Sequence, residues 1–239
     1  MAKLKEYNGR YCESEYESAF IGFLEAEGWQ YSSGNDISRV SKRDVLIADD
    51  FKKFLAETNP DLTEEEVTQI FDNVRLAGAE SDFATLHKVY GWMVDGVQFT
   101  PRDGLARMIP LIDFKYLDDK NKKNKNIFRV VNQFTVEYTN NGHKETRRPD
   151  VVLFVNGIPV CIMELKNPGD ANATIYDAWE QINIRYWRDI PHLLHYCPLA
   201  CISDGVKTRL GTVRTPYEHF YAWRRVNDGD AISTLPFEE

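Results

Sequence analysis

Residues 149–166, PDVVLFVNGIPVCIMELK, decide how this chain folds. Two apolar runs flank Asn156-Gly157, and Asn-Gly between apolar runs is the strongest short-range hairpin signal, because both central residues of a type I′ turn need φ > 0. Antiparallel pairing across that turn matches position i with 313 − i, which sets Asp150 opposite Met163 and next to Glu164. Side chains alternate along a strand, so Ile162, Glu164 and Lys166 share one face while Cys161, Met163 and Leu165 share the other. The second set is apolar and is expected to face the core. The first places a carboxylate and an ammonium about 7 Å apart along the strand. Two acids and a lysine therefore come within reach of one another at a sheet end.

That trio suits hydrolysis of a phosphodiester. Two carboxylates make a hard oxygen site for Mg²⁺, which takes carboxylates, water and phosphate as ligands. The metal would polarise the phosphoryl group and acidify bound water, and the lysine would orient that water or stabilise charge on the phosphate. The plain alternative is a surface ion pair at a strand end. Against it, charges that close buried strands are costly unless they are paired or functional.

Outward from the hairpin, the pattern is helical before it and mixed after it. Segment 14–27 has apolar Phe20, Phe23 and Leu24, with Ser14 and Glu17 spaced as a capping box and Gly28 as the stop. Helices are expected over 44–58, 63–76 and 82–95, the second announced by Pro60 and by Thr63 with Glu66. A strand is expected over 127–138, a helix over 174–190, and a buried strand over 198–203 ended by Asp204-Gly205. The expected architecture is α/β: a mixed sheet flanked by helices, one domain over 1–239, with an inserted helical block at about 40–100 and a core at about 127–205.

The chain has 29 Lys+Arg and 37 Asp+Glu among its 239 residues. The imbalance is local: residues 1–100 hold 10 basic and 19 acidic side chains, the remainder 19 and 18. Overall acidity argues against a sequence-independent DNA coater. Lys120, Lys122, Lys123, Lys125, Arg129, Arg147 and Arg148 nevertheless offer a local grip for a phosphate backbone, or simply a solvated loop. No apolar run approaches the roughly 20 residues of a membrane helix and MAKLKEYNGR lacks a signal core, so a soluble, cytoplasmic protein is expected. Cys161 reads as a buried hydrophobe, and His192, His195, Cys197 and Cys201 match no zinc spacing.

The run RRPDVVLFVNGIPVCIMELKNP resembles the nuclease core of the PD-(D/E)xK superfamily, and more narrowly the N-terminal endonuclease domain of the R subunit of type I restriction-modification enzymes. YCESEYESAFIGFLEAEGWQY is similar to that family's opening helix, NIFRVVNQFTVEY to its strand before the hairpin, and ISDGVKTRLGT with HFYAW to its region after the core. The resemblance implies Asp150 and Glu164 as metal ligands for Mg²⁺ and Lys166 as the catalytic lysine. It implies Glu17 as the helical acid, through E-x-x-F-I-x-x-L at Glu17, Phe20, Ile21 and Leu24, with Glu13 and Glu15 as competitors. The family's Gln-x-x-x-Tyr motif is stretched here: four residues separate Gln181 from Tyr186, Arg185 holds the usual tyrosine position, and i and i+5 lie about 140° apart on an α-helix. Gln181 and Tyr186 are DNA-contact candidates, as are Arg147, Arg148, Lys122 and Lys123. The implied partners are double-stranded DNA and the methylation (M) and specificity (S) subunits, the latter reading base sequence. The chain contains no G-x-x-x-x-G-K-[ST] phosphate loop, so ATP is expected to bind only to a motor outside it, and the chain reads as a fragment of a longer subunit. The rival from another class is a catalytically silent DNA-binding or docking module.

Overall fold

The computed structural model describes residues 13–77, 81–115, 123–167, 174–205 and 207–222. Its centre is the expected hairpin, β7 (Val151–Val155) and β8 (Ile158–Leu165), closed by Asn156 at φ 52° and Gly157 at φ 75°. Gly157 is required twice over, because a Cβ there would lie 2.2 Å from the Ile47 carbonyl oxygen, which leaves room only for hydrogen. β4 (Phe128–Asn132) pairs antiparallel with β7, and β1 (Gln30–Ser33) adds parallel to β4. On the other side β9 (Leu199–Ser203) runs parallel to β8, followed by antiparallel β10 (Thr208–Thr212) and β11 (Tyr221–Ala222). The result is a seven-stranded mixed sheet ordered β1-β4-β7-β8-β9-β10-β11.

Helices cover both faces, as expected of a mixed sheet flanked by helices. α1 (Glu13–Ala26) lays Phe20, Ile21 and Leu24 on Val130, Val151, Cys161 and Met163. The opposite face, carrying Val131, Val152, Phe154 and Ile162, meets the larger core under α5 (Ile175–Glu180) and the helical block. Glu164 points into that second layer and has no exposed surface.

The block comprises α2 (Ala48–Thr58), α3 (Glu64–Arg75) and α4 (Asp82–Asp95), followed by a small hairpin of β2 (Val97–Phe99) and β3 (Arg107–Ile109). Thr63 and Glu66 form the capping box of α3, with Thr63 N–H donating to Glu66 at 2.8 Å. α2 starts four residues later than the pattern suggested, because Val45, Leu46 and Ile47 are buried and the Ile47 N–H bonds the Gly157 carbonyl. The expected strand 127–138 is two: Gln133, at φ 53°, ends β4 and sends the chain into a separate hairpin of β5 (Val136–Asn140) and β6 (His143–Arg147). That hairpin turns on a second Asn-Gly, Asn141-Gly142, both at positive φ.

Candidate active site

The hairpin follows the expected register only near its turn, where Val155 pairs with Ile158 and Phe154 with Pro159. Beyond Leu153 the register slips by one, so that Leu153 faces Cys161 and Val151 faces Met163. This is a β-bulge at the residue after Pro159, which has no N–H to give a ladder. The next pair along therefore sets Asp150 level with Glu164, not with Met163 as strict pairing required. Asp150 is pinned there by the Leu165 N–H, 2.8 Å from its Oδ2.

Glu164 is held on both oxygens. The Tyr186 hydroxyl donates to Oε1 at 2.7 Å, and the Gln181 amide donates to Oε2 at 2.6 Å. The Lys166 ammonium lies 4.0 Å from Oε2 and donates to the Gln181 carbonyl at 3.1 Å. Burial, and next the charge of Asp150, push the Glu164 carboxyl well above the usual carboxylate range, against the opposing pull of the Tyr186 hydrogen bond and Lys166. Burial and the Glu164 charge raise the Tyr186 phenol in turn.

Sequence spacing set Gln181 and Tyr186 about 140° apart, and the structure brings them together. Residues Gln181–Tyr186 form a π-helical turn between α5 and α6 (Trp187–Asp189). One π turn takes up the extra residue, and the Gln181 amide donates to the Tyr186 hydroxyl at 2.9 Å. Both side chains close on Glu164, and Tyr186 is buried, so the structure directs them inward from the surface on which they were expected to meet DNA.

α1 reaches the same end of the sheet from its other face. Ser14 lies inside α1, past the position of an N-cap, and its carbonyl accepts from the Ser18 hydroxyl. Glu17 is buried and accepts instead from Asn132 Nδ2 at 2.7 Å and Gln133 Nε2 at 2.8 Å. The Gln133 N–H donates to the Asp150 carbonyl at 2.8 Å. Next to Glu17, the Tyr16 hydroxyl lies 3.0 Å from that of Ser203, whose carbonyl accepts the Lys166 N–H. Asn132 and Gln133 escaped sequence reading because 115 and 116 residues separate them from Glu17, and no local pattern signals such a contact.

Residues 10–219 match the family described as type I restriction enzyme R protein N terminus. The chain belongs to this family. Over 229 residues it is 33% identical to the protein named "Putative type I restriction enzyme MjaIXP endonuclease subunit" of Methanocaldococcus jannaschii, covering 92% of this chain and 21% of that one. Over 241 residues it is 28% identical to the type I restriction enzyme HindI endonuclease subunit of Haemophilus influenzae, covering 95% and 22%. The chain thus spans about a fifth of the length of these relatives.

Within this R-protein N-terminal domain the expected basic residues are scattered. Arg147 is taken up structurally, its Nε donating to Asp189 at 2.6 Å with its guanidinium over Tyr138. Arg148, two residues before Asp150, is exposed. Lys123 is exposed but enters the sheet from the hairpin-turn end, where Asn126 accepts from Asn156, and not from the Glu164 end. Lys122 and the side chain of Glu13 lie outside the described residues. Cys161, Cys197 and Cys201 are free and buried.

Among the described residues no three His, Cys, Asp or Glu side chains converge as a metal-holding group. Asp150 and Glu164 offer a two-carboxylate oxygen set, and its chemistry fits a hard divalent cation. Two acids are forced together in a buried corner, and the burial and mutual repulsion that raise the Glu164 pKa are what a 2+ charge would offset. No helix among the described residues is long and apolar enough to cross a membrane.

Proposed function

We propose that this chain is a Mg²⁺-dependent endonuclease domain of the PD-(D/E)xK type, acting on double-stranded DNA as the nuclease part of a type I restriction enzyme R subunit. The observation that carries the reading is the meeting of Asp150, Glu164 and Lys166 at one sheet end, in a chain whose relatives are named endonuclease subunits. Asp150 and Glu164 would hold the metal, which when bound polarises the phosphoryl group and acidifies its water. Lys166 keeps a cation beside these acids, with the Gln181 carbonyl fixing where its N–H groups point, so that it can meet charge developing on the scissile phosphate. The exposed Arg148 is placed for a flanking phosphate, a contact that positions the duplex without reading its sequence. The M and S subunits are the proposed partners, an ATP-driven motor lies elsewhere in the subunit, and the enzyme works in the cytoplasm.

Calorimetric titration of Mn²⁺ and Mg²⁺ into the chain, with and without a short duplex, tests this. Wild type should bind, and both Asp150→Ala and Glu164→Ala should abolish binding. Identical traces for all three proteins in both conditions would overturn the metal site. Loss of cleavage on Lys166→Ala in the assembled enzyme, with translocation kept, separates a nuclease from a silent docking module.

A further inference from the structure

Three residues other than glycine have a clearly left-handed φ among the described residues: Gln133, Asn141 and Asn156. The two asparagines stand in Asn-Gly turns, where their side chains suit that conformation. Gln133 stands in no such turn, and glutamine is not a residue that favours the left-handed region. It is wedged from behind as well, since a Cβ on Gly34 would lie 2.4 Å from the Gln133 carbonyl oxygen. Backbone outliers of this kind persist where the surroundings over-determine them, and they gather at functional sites. What this one achieves is visible in its bonds. Its N–H reaches the Asp150 carbonyl at 2.8 Å while its side-chain amide reaches Glu17 at 2.8 Å. A single residue thus ties the strand that begins beside Asp150 to the helix that carries Glu17.

We propose that Gln133 is a positioning residue of the nuclease centre, fixing the Glu17 carboxylate relative to the strand that begins beside Asp150. The inference rests on the nuclease reading above. Glu17 is the acid of α1 that these bonds hold, one oxygen by Gln133 and one by Asn132. Each oxygen accepts one N–H and keeps lone-pair capacity for a water on the metal or the substrate.

Gln133→Gly separates this role from mere chain turning, since glycine takes positive φ without cost and has no amide. The melting temperature should fall by only about a few degrees, through the lost donor on the buried Glu17, while cleavage by the complete enzyme should fall about 10–100-fold and the Mg²⁺ concentration for half-maximal rate should rise. Mn²⁺ calorimetry on the chain alone should show the same weakening. Gln133→Asn, which tolerates the left-handed region but is one methylene short, should fold and show the same losses. Combining Gln133→Gly with Glu17→Gln should cost no more than Glu17→Gln alone. Wild-type cleavage and metal affinity in Gln133→Gly, or strictly additive losses in the double variant, would overturn the proposal while leaving the nuclease reading intact. A wild-type protein that neither binds Mn²⁺ nor cleaves would overturn both.

Discussion

In the helical block, the buried carboxylate of Glu66 closes on Thr63, three residues away, and takes the Arg102 N–H with its other oxygen. At the far end of β8 no carboxylate among these closes on its own turn: Glu164 reaches Gln181 and Tyr186, 17 and 22 residues on, and Glu17 reaches Asn132 and Gln133, more than a hundred residues away. The block keeps regular helices. The elements that build the sheet end depart from regular geometry three times, with a bulge after Pro159 near the hairpin turn, a left-handed Gln133 and a π turn at Gln181–Tyr186. Glu66 caps its own helix and ties it to the backbone at Arg102. A carboxylate closed from across the fold is aimed, and each departure aims one: the bulge brings Asp150 level with Glu164, Gln133 meets Glu17, and the π turn closes on Glu164. Local consistency is given up where side chains must converge.

The sharpest way to break the contrast is Lys166→Met. Methionine fills the space of the largely buried Lys166 side chain but carries no charge, so cleavage by the complete enzyme should fall roughly 10³-fold. Thermal melting should stay within a few degrees of wild type. A variant that cleaves normally would make the sheet end as purely structural as the block.

The second test is acid. His192 sits near Arg43 and His195, its Nε2 buried without a hydrogen-bond partner among the described residues, and burial first and Arg43 next lower its pKa to about 4. The fold therefore holds neutral imidazole. Above about pH 6.5 neither state carries the extra proton and this source of stability is complete. As pH falls from 6.5 toward 4 the unfolded chain takes up a proton that the folded chain refuses, so stability declines, by up to about 3 kcal/mol. Urea midpoints from pH 8 to 4 should show the decline, and His192→Leu should remove that part of it. An unchanged slope in the variant would assign acid sensitivity to the carboxylates instead.

The contrast also marks what could be read without coordinates. The hairpin, the helical block and the capping box of α3 follow from Asn156-Gly157, helical spacing and Thr63 with Glu66, all signals of a few residues. Asp150, Glu164 and Lys166 were legible because strand alternation and one turn place them, and the expected register erred by the single bulged residue. Burial of Glu164 was not legible, because it depends on α5 covering that face. Sequence spacing hides the partnership of Gln181 with Tyr186, because five residues span about 140° on an α-helix and this turn is π-helical. Ser14 was read as a cap on local spacing alone, while the donors that take Glu17 come from the end of β4.

Tyr186→Phe should remove one of the two donors on Glu164 without a cavity, costing about 1–2 kcal/mol of stability and roughly tenfold in cleavage, read by urea melts and single-turnover rates. Thr63→Ala is its counterpart in the block. It removes one helix-capping acceptor, at about 1 kcal/mol. The two stability costs are close, so stability alone cannot tell the regions apart, and the discriminating quantity is metal affinity. Thr63 acts through Glu66 and the first turn of α3, and neither touches the residues around Glu164, so Thr63→Ala should leave Mn²⁺ calorimetry and cleavage unchanged at temperatures where the variant is folded. Tyr186→Phe should move both. If Thr63→Ala weakened metal binding as well, the block would be coupled to the site, and the division between polar groups that stabilise and polar groups that aim would fail at its simplest position.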